Sequence, residues 1–188
     1  MPSPGTIRNP FGTGASGQDD TLTSKNVGTA ATGVTAVEYG DAISHKTVLT
    51  VDTTLPAIAG GASLAVGKLM YTLPAGAVAV KATYMSIALD ESDGNITADT
   101  PDVGIGTTIG SGAVAVLGGT AAFENILTGQ TAADCDGTAT AACVGTDLGV
   151  TPAGDHTVYL NVADGWAASG EAACAVSGTI VLEWVFLS

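Results

Sequence analysis

From Val34 onward, apolar residues recur in short runs, many of them at every second position, and the runs are separated by Gly, Pro and Asp-Gly. A two-residue period places successive side chains on opposite faces of a strand. The runs predict strands over Val34–Tyr39, Lys46–Val51, Ala65–Thr72, Val78–Leu89, Val103–Thr108, Ala113–Leu117, Ala122–Leu127, Thr157–Val162 and Val176–Leu187. Gly60-Gly61, Asp93-Gly94, Gly118-Gly119, Asp136-Gly137 and Asp164-Gly165 mark turns between them, because Gly accepts φ > 0 and Asp bonds its own backbone. With no helical period between the strands, the expected fold is all-β: a jelly-roll-like or related antiparallel β-sandwich.

Three runs say more. In Thr157–Val162, Val158, Leu160 and Val162 share one face and Thr157, Tyr159 and Asn161 the other, the pattern of a strand with one wet side. In Val78–Leu89 the apolar parity changes, since Val78 and Val80 precede Met85, Ile87 and Leu89. A bulge near Tyr84-Met85, or a passage between two sheet environments, would explain the change. The final run puts Val176, Ile180, Leu182, Trp184 and Phe186 on one face and Thr179, Val181, Glu183, Val185 and Leu187 on the other. Both faces are largely apolar, so this strand is central or its second face meets another subunit. Pro74-Ala75-Gly76 and Pro152-Ala153-Gly154 each lead into a strand as sharp corners, a spacing that hints at a two-fold Greek-key plan.

Residues 1–33 carry no such pattern. The stretch from Gly12 to Gly33 is rich in Gly, Ser, Thr, Asn and Ala and cannot by itself bury enough apolar area to offset its ordering entropy. The expected organisation is an extended or disordered arm over 1–33 and a single β-sandwich domain over 34–188. No basic stretch followed by an apolar one opens the chain, so no secretory leader is expected. No apolar run approaches a bilayer-spanning length.

Charge narrows the functions open to such a fold. The formal net charge is -13, and all five basic residues, Arg8, Lys25, Lys46, Lys68 and Lys81, precede Ala82, whereas thirteen acids follow it. A phosphate backbone needs cationic partners, so nucleic acid is excluded as a partner; an anionic membrane surface is disfavoured for the same reason. Charge of one sign keeps copies soluble at high local density.

Candidate chemistry is sparse. His45 and His156 each stand at the start of a predicted strand, outside any metal-binding spacing, and no GxSxG is present. The acids lie mostly in loops, with few aromatic residues to support a glycosidase. No catalytic residues and no cofactor are expected, and the chain reads as a non-enzyme. Asp90, Glu91, Asp93 and Asn95 cluster in one expected hairpin loop, and Asp134 and Asp136 in another. Asp90, Asp93 and Asn95 are the best candidates for a calcium ion, although Gly94 falls one position early for an EF-hand. Gly104, Gly106 and Gly110 form no dinucleotide fingerprint, since no strand-to-helix turn accompanies them. Of Cys135, Cys143 and Cys174, the first two flank a small-residue stretch; it is either a loop closed by their disulfide or a segment with free thiols.

Tyr71-Thr72-Leu73-Pro74-Ala75-Gly76, Thr100-Pro101-Asp102-Val103-Gly104-Ile105-Gly106, Val114 to Phe123, His156 to Trp166 and Gly178 to Trp184 together resemble the capsid decoration (cement) proteins of tailed bacteriophages. The likeness covers about residues 66–186 and contains no diagnostic motif, so it transfers no site residue. It implies a homotrimer on the outer surface of an icosahedral head, contacting the major capsid protein, with the basic, arm-proximal half toward the shell. The arm, with Arg8 and Lys25 as candidate contacts, would reach across a seam between capsomers. The alternative is a carbohydrate-binding or adhesive β-sandwich on a virion fibre or cell surface, using Trp166 and calcium-bearing loop acids.

Overall fold

The computed structural model describes residues 27–41, 43–57, 64–76, 78–90, 101–112, 114, 116–118, 122–131, 140–147, 156–163 and 173–187. Among them there is no helix. Eleven strands form two antiparallel sheets: β1 Thr29–Ala30, β2 Val34–Gly40, β3 Ser44–Thr54, β4 Ala65–Thr72, β5 Val78–Asp90, β6 Asp102–Gly106, β7 Ser111–Gly112, β8 Leu127–Thr131, β9 Thr140–Asp147, β10 Thr157–Ala163 and β11 Ala175–Phe186. One sheet runs β1-β4-β10-β6-β8, with β7 also on β4; the other runs β2-β3-β11-β5-β9.

The nesting of these orders identifies the jelly roll. Taking β3, β4, β5, β6, β8, β9, β10 and β11 in sequence, first pairs with last, second with seventh, third with sixth and fourth with fifth. That is a double Greek key wrapped into two sheets. β1 and β2 extend one edge of each sheet. β5 and β6 lie in different sheets, as do β8 and β9, so neither pair of strands forms a hairpin; the expected loops carrying Asp93 and Asp136 lie outside the described residues.

The core lies between the sheets. Leu49, Val51, Met85, Ile87, Leu89, Ile180, Leu182 and Trp184 face Met70, Val103, Ile105, Val158, Leu160 and Val162, all essentially inaccessible. β11 is central, between β3 and β5, as its two-sided apolar pattern requires. The parity change in β5 is a bulge: Glu183 pairs with Ala82 and Trp184 with Val80, leaving Lys81 as the extra residue. It sits three residues ahead of the expected position. The Pro74-Ala75-Gly76 corner is present, with Gly76 at φ 132° and its carbonyl oxygen 2.8 Å from His156 Nε2.

Several expectations need correction. The described residues begin inside the expected arm. Gly28 N–H donates to the Tyr71 hydroxyl at 2.9 Å, Thr29 and Ala30 pair with Thr72 and Tyr71, and Ala31 N–H donates to the Met70 carbonyl. The described residues of the runs at Ala113–Leu117 and Ala122–Leu127 form no strand apart from Leu127, where β8 begins; β7 ends just before the first run. Val114, Leu117 and Phe123 instead fold over the outside of the six-stranded sheet, whereas Ile126 and Leu127 join the core between the sheets. The outer side of β10 is therefore partly covered: Asn161 is fully buried, while Thr157 and Tyr159 are half-buried. Cys143 lies within β9, paired with Ile87, and not at the mouth of a loop; Cys135 falls outside the described residues. Cys174 is buried in the core.

Candidate functional site

Three arrangements emerge from this fold: a covered outer face, an uncovered one, and a cleft at one end of the latter.

The cover is built from described residues between Thr107 and Asn125. Beneath it, β4, β6 and β10 turn outward Gly67, Gly104, Gly106, Asn161 and Ala163, small residues or one buried amide. A Cβ at Gly106 would overlap the Ala122 carbonyl oxygen and the Phe123 backbone, and one at Gly104 would lie 3.1 Å from Leu117 Cδ1. The glycines without a nucleotide fingerprint therefore have a packing role: they let backbone lie against backbone. Leu117 and Phe123 then bury against Ala65 and Ala163. Asn161 fastens the layer. Its Oδ1 accepts from Gly110 N–H at 2.6 Å, and its Nδ2 donates to the carbonyls of Thr108 at 2.9 Å and Phe123 at 2.7 Å. Asp102 accepts from Leu117 N–H at 2.8 Å, and Asn125 from Thr107 N–H at 2.9 Å.

The outer face of the five-stranded sheet has no such layer among the described residues. The register aligns Val37, Val48, Val181 and Tyr84 in one row across four strands, with Thr146 of β9 at the next register position. The neighbouring row is Thr35, Thr50, Thr179 and Ser86, continued at the Val144 position. Val37 is 51% exposed and Tyr84 40%. Charge is confined to the flanking rows, with Lys46 opposite Glu183 on one side and Asp52 opposite Ser177 on the other.

At the Lys46 end this face runs into a cleft of about 420 Å³ lined by Tyr39, Gly40, Ser44, His45, Lys46, Lys81, Glu183, Trp184 and Val185. Behind it, on the inward side of the same strands, the His45 ring stacks on Trp184 with centroids 3.9 Å apart and planes 8° from parallel. Trp184 Nε1–H donates to Thr47 Oγ1 at 2.8 Å, and Thr47 donates to Glu38 Oε2 at 2.9 Å. The Tyr71 hydroxyl, from the opposite sheet, donates to Glu38 Oε1. Five residues thus form one polar chain from Gly28 through Tyr71, Glu38 and Thr47 to Trp184, joining both sheets behind the cleft. Burial raises the Glu38 carboxyl above its ordinary value, against the hydrogen bonds from Tyr71 and Thr47 that favour its ionised form. Burial together with the neighbouring Glu38 carboxyl pushes the Tyr71 hydroxyl well up, so it stays a proton donor. Asp41 follows the lining residue Gly40 in sequence; its Oδ1 accepts from Ile43 and Ser44 N–H, both at 2.7 Å, and these bonds lower its pKa.

Only one of the sequence-based candidate site residues is among the described residues. Arg8, Lys25, Asp93, Asn95 and Trp166 lie outside the described residues, and Asp90 is the last residue of β5, paired with Ala175 and Thr140. Among the described residues no three of His, Cys, Asp and Glu gather as metal ligands. The cleft was missed by sequence reasoning, although Lys81 standing at a parity change was a usable signal, since bulges re-aim a side chain. Comparison with family models, with curated proteins and with solved structures returns no match to this chain.

Proposed function

We propose that this chain is a structural virion protein that binds the outside of an icosahedral phage head and stabilises contacts between capsid subunits. The observation that carries the reading is the uncovered face of the five-stranded sheet. The chain lays a cover of its own over one sheet and leaves the other with two uncharged rows of Val, Thr, Tyr and Ser. Contiguous faces of this kind mark interaction sites. Five strands about 4.8 Å apart and four rows about 6.8 Å apart make a face of roughly 600 Å². A stable protein–protein contact takes about 800 Å² per partner, so the face needs a supplement. The arm preceding Val27, with Arg8 and Lys25, supplies it by reaching a neighbouring capsomer. Repetition over a lattice then converts modest single contacts into firm attachment.

The test is attachment to purified heads that lack the protein. Full-length chain is expected to bind and to raise the temperature at which heads release their DNA. Chain lacking residues 1–26 is expected to stay folded and bind at least tenfold more weakly, an avidity loss. Equal binding by the truncated chain would remove the arm from the account, and failure of the full chain to bind heads would remove the function.

A further inference from the structure

The described cations divide unequally. Lys68 is committed internally, its Nζ donating to Thr53 Oγ1 and, at 2.9 Å, to the Thr54 carbonyl. The other two, Lys46 and Lys81, line the same cleft, from different strands and by different devices. Lys46 is an outward residue of β3 directly opposite Glu183. Lys81 is the bulged residue of β5, thrown out of register where Glu183 pairs with Ala82 and Trp184 with Val80. Two of the five basic residues in a chain of net charge -13 therefore converge on one concavity.

We infer that this cleft is a receptor for a carboxylate side chain presented by a second copy of the chain. The local balance is Lys46 and Lys81 against Glu183, one net positive charge, which suits a single carboxylate and not a polyphosphate. The volume of about 420 Å³ lies within the range of preformed ligand sites and exceeds what a simple ion needs, leaving room for flanking peptide. The strands that carry the site are also fixed, since β11 is paired along its length with β3 on one side and β5 on the other. Asp41, next in sequence to the lining residue Gly40, spends its Oδ1 on its own turn. The source follows from charge complementarity. Besides Glu183, twelve acids follow Lys81 in the sequence with no Lys or Arg among them, so each copy carries a large excess of carboxylates over cations. A cleft on one surface engaging a carboxylate on another is a head-to-tail contact, which closes into rings when its rotation allows. The inference does not require the assembly to be a phage head.

Sedimentation velocity of the full chain tests it. Wild-type protein is expected to self-associate at about 0.1 M salt and to dissociate near 1 M, where the screening length falls from ~10 Å to ~3 Å. Lys46→Ala and Lys81→Ala are each expected to weaken association roughly tenfold or more. Lys46→Glu/Lys81→Glu should sediment as monomer at both salt concentrations with an unchanged far-ultraviolet circular dichroism spectrum. Lys46→Arg/Lys81→Arg should keep the oligomer and provides the control if the charge reversal perturbs folding. A monomeric wild type at low salt overturns the inference, as does an oligomer indifferent to all four variants. A charge-reversed monomer that still binds heads leaves the proposed function standing, whereas an oligomer that ignores heads leaves the cleft standing without that function.

Discussion

On the six-stranded sheet the outward positions include Gly67, Gly104, Gly106, Asn161 and Ala163, and every one is buried beneath the chain's own cover; on the five-stranded sheet they include Val48, Thr50, Thr179, Val181 and Tyr84, and none is buried. Side-chain size separates the two. The covered face has been reduced to hydrogen, methyl and one amide, so that a loop can approach to backbone contact. The uncovered face keeps full-sized β-branched and aromatic residues in rows, a surface made for another face and not for a loop. Both are outer faces of one sandwich, yet one belongs to the domain's interior and the other to its exterior. Mutations should separate them by their effect on stability.

The largest loss is expected at Asn161. Replacing it with Leu keeps the number and branching of heavy atoms but removes three hydrogen bonds at once, leaving Gly110 N–H and the Thr108 and Phe123 carbonyls without this partner. Each stranded buried group costs about 1–3 kcal/mol, so a loss of at least about 3 kcal/mol is expected. Urea unfolding reads it directly, and limited proteolysis should show new cuts within 107–126. A loss under about 1 kcal/mol would mean that apolar burial alone seats the cover.

The covered face was the part of the fold least legible in the sequence, for a physical reason. Periodicity reports whether a residue points in or out of a strand, not whether something lies over it. Asn161 alternates correctly with Leu160 and Val162, so it reads as a solvated position. What buries it is a segment whose Val114, Leu117 and Phe123 mimic short strands by composition. The strands with strong contrast, β4, β10 and β11, were legible almost to the residue, and so was the β5 bulge as an event, if not its exact position. β9 was not: Thr-Ala-Ala-Cys-Val-Gly-Thr-Asp carries one β-branched aliphatic residue, and only its pairing with β5 makes it a strand. Beyond the parity change at Lys81, the cleft left no trace in the sequence, because its two lysines come from strands that are not neighbours in the sheet order, with β11 between them.

A smaller effect, one of pH, is expected where the sheets are joined behind the uncovered face. The folded Glu38 carboxyl holds its proton to higher pH than the ordinary value of 4.5, chiefly because it is buried. Between that value and the raised one the native state binds more protons than the unfolded state, so this group makes stability fall as pH rises through the window. Asp41 acts in the opposite sense and elsewhere. Its lowered pKa adds stability that is present above the ordinary 3.8 and lost as pH falls through the folded value. Chemical unfolding followed across the acidic range should therefore show a negative slope above pH 4.5 that disappears in Glu38→Gln while the loss at lower pH remains. A slope unchanged by Glu38→Gln would place its origin in another group.

The smallest change in stability is expected at the centre of the uncovered face, and it sharpens the comparison most. Val181 lies between Val48 and Tyr84 in the apolar row, half-buried only by its own neighbours. Val181→Lys can direct its ammonium straight into solvent while its methylene stem covers the flanking residues. The cost to folding should stay within about 0.5 kcal/mol, against several for the Asn161 change on the opposite sheet. Any molecule packed against this face would have to desolvate that charge without a partner, a penalty of several kcal/mol. Val181→Lys is therefore expected to leave the unfolding curve almost superimposed on wild type while lowering attachment to heads by tenfold or more. Normal attachment by a stably folded Val181→Lys would show that the exposed rows make no contact in the assembly. Destabilisation comparable to that at Asn161 would show instead that something within the chain covers this sheet as well, and the contrast between the two faces would vanish.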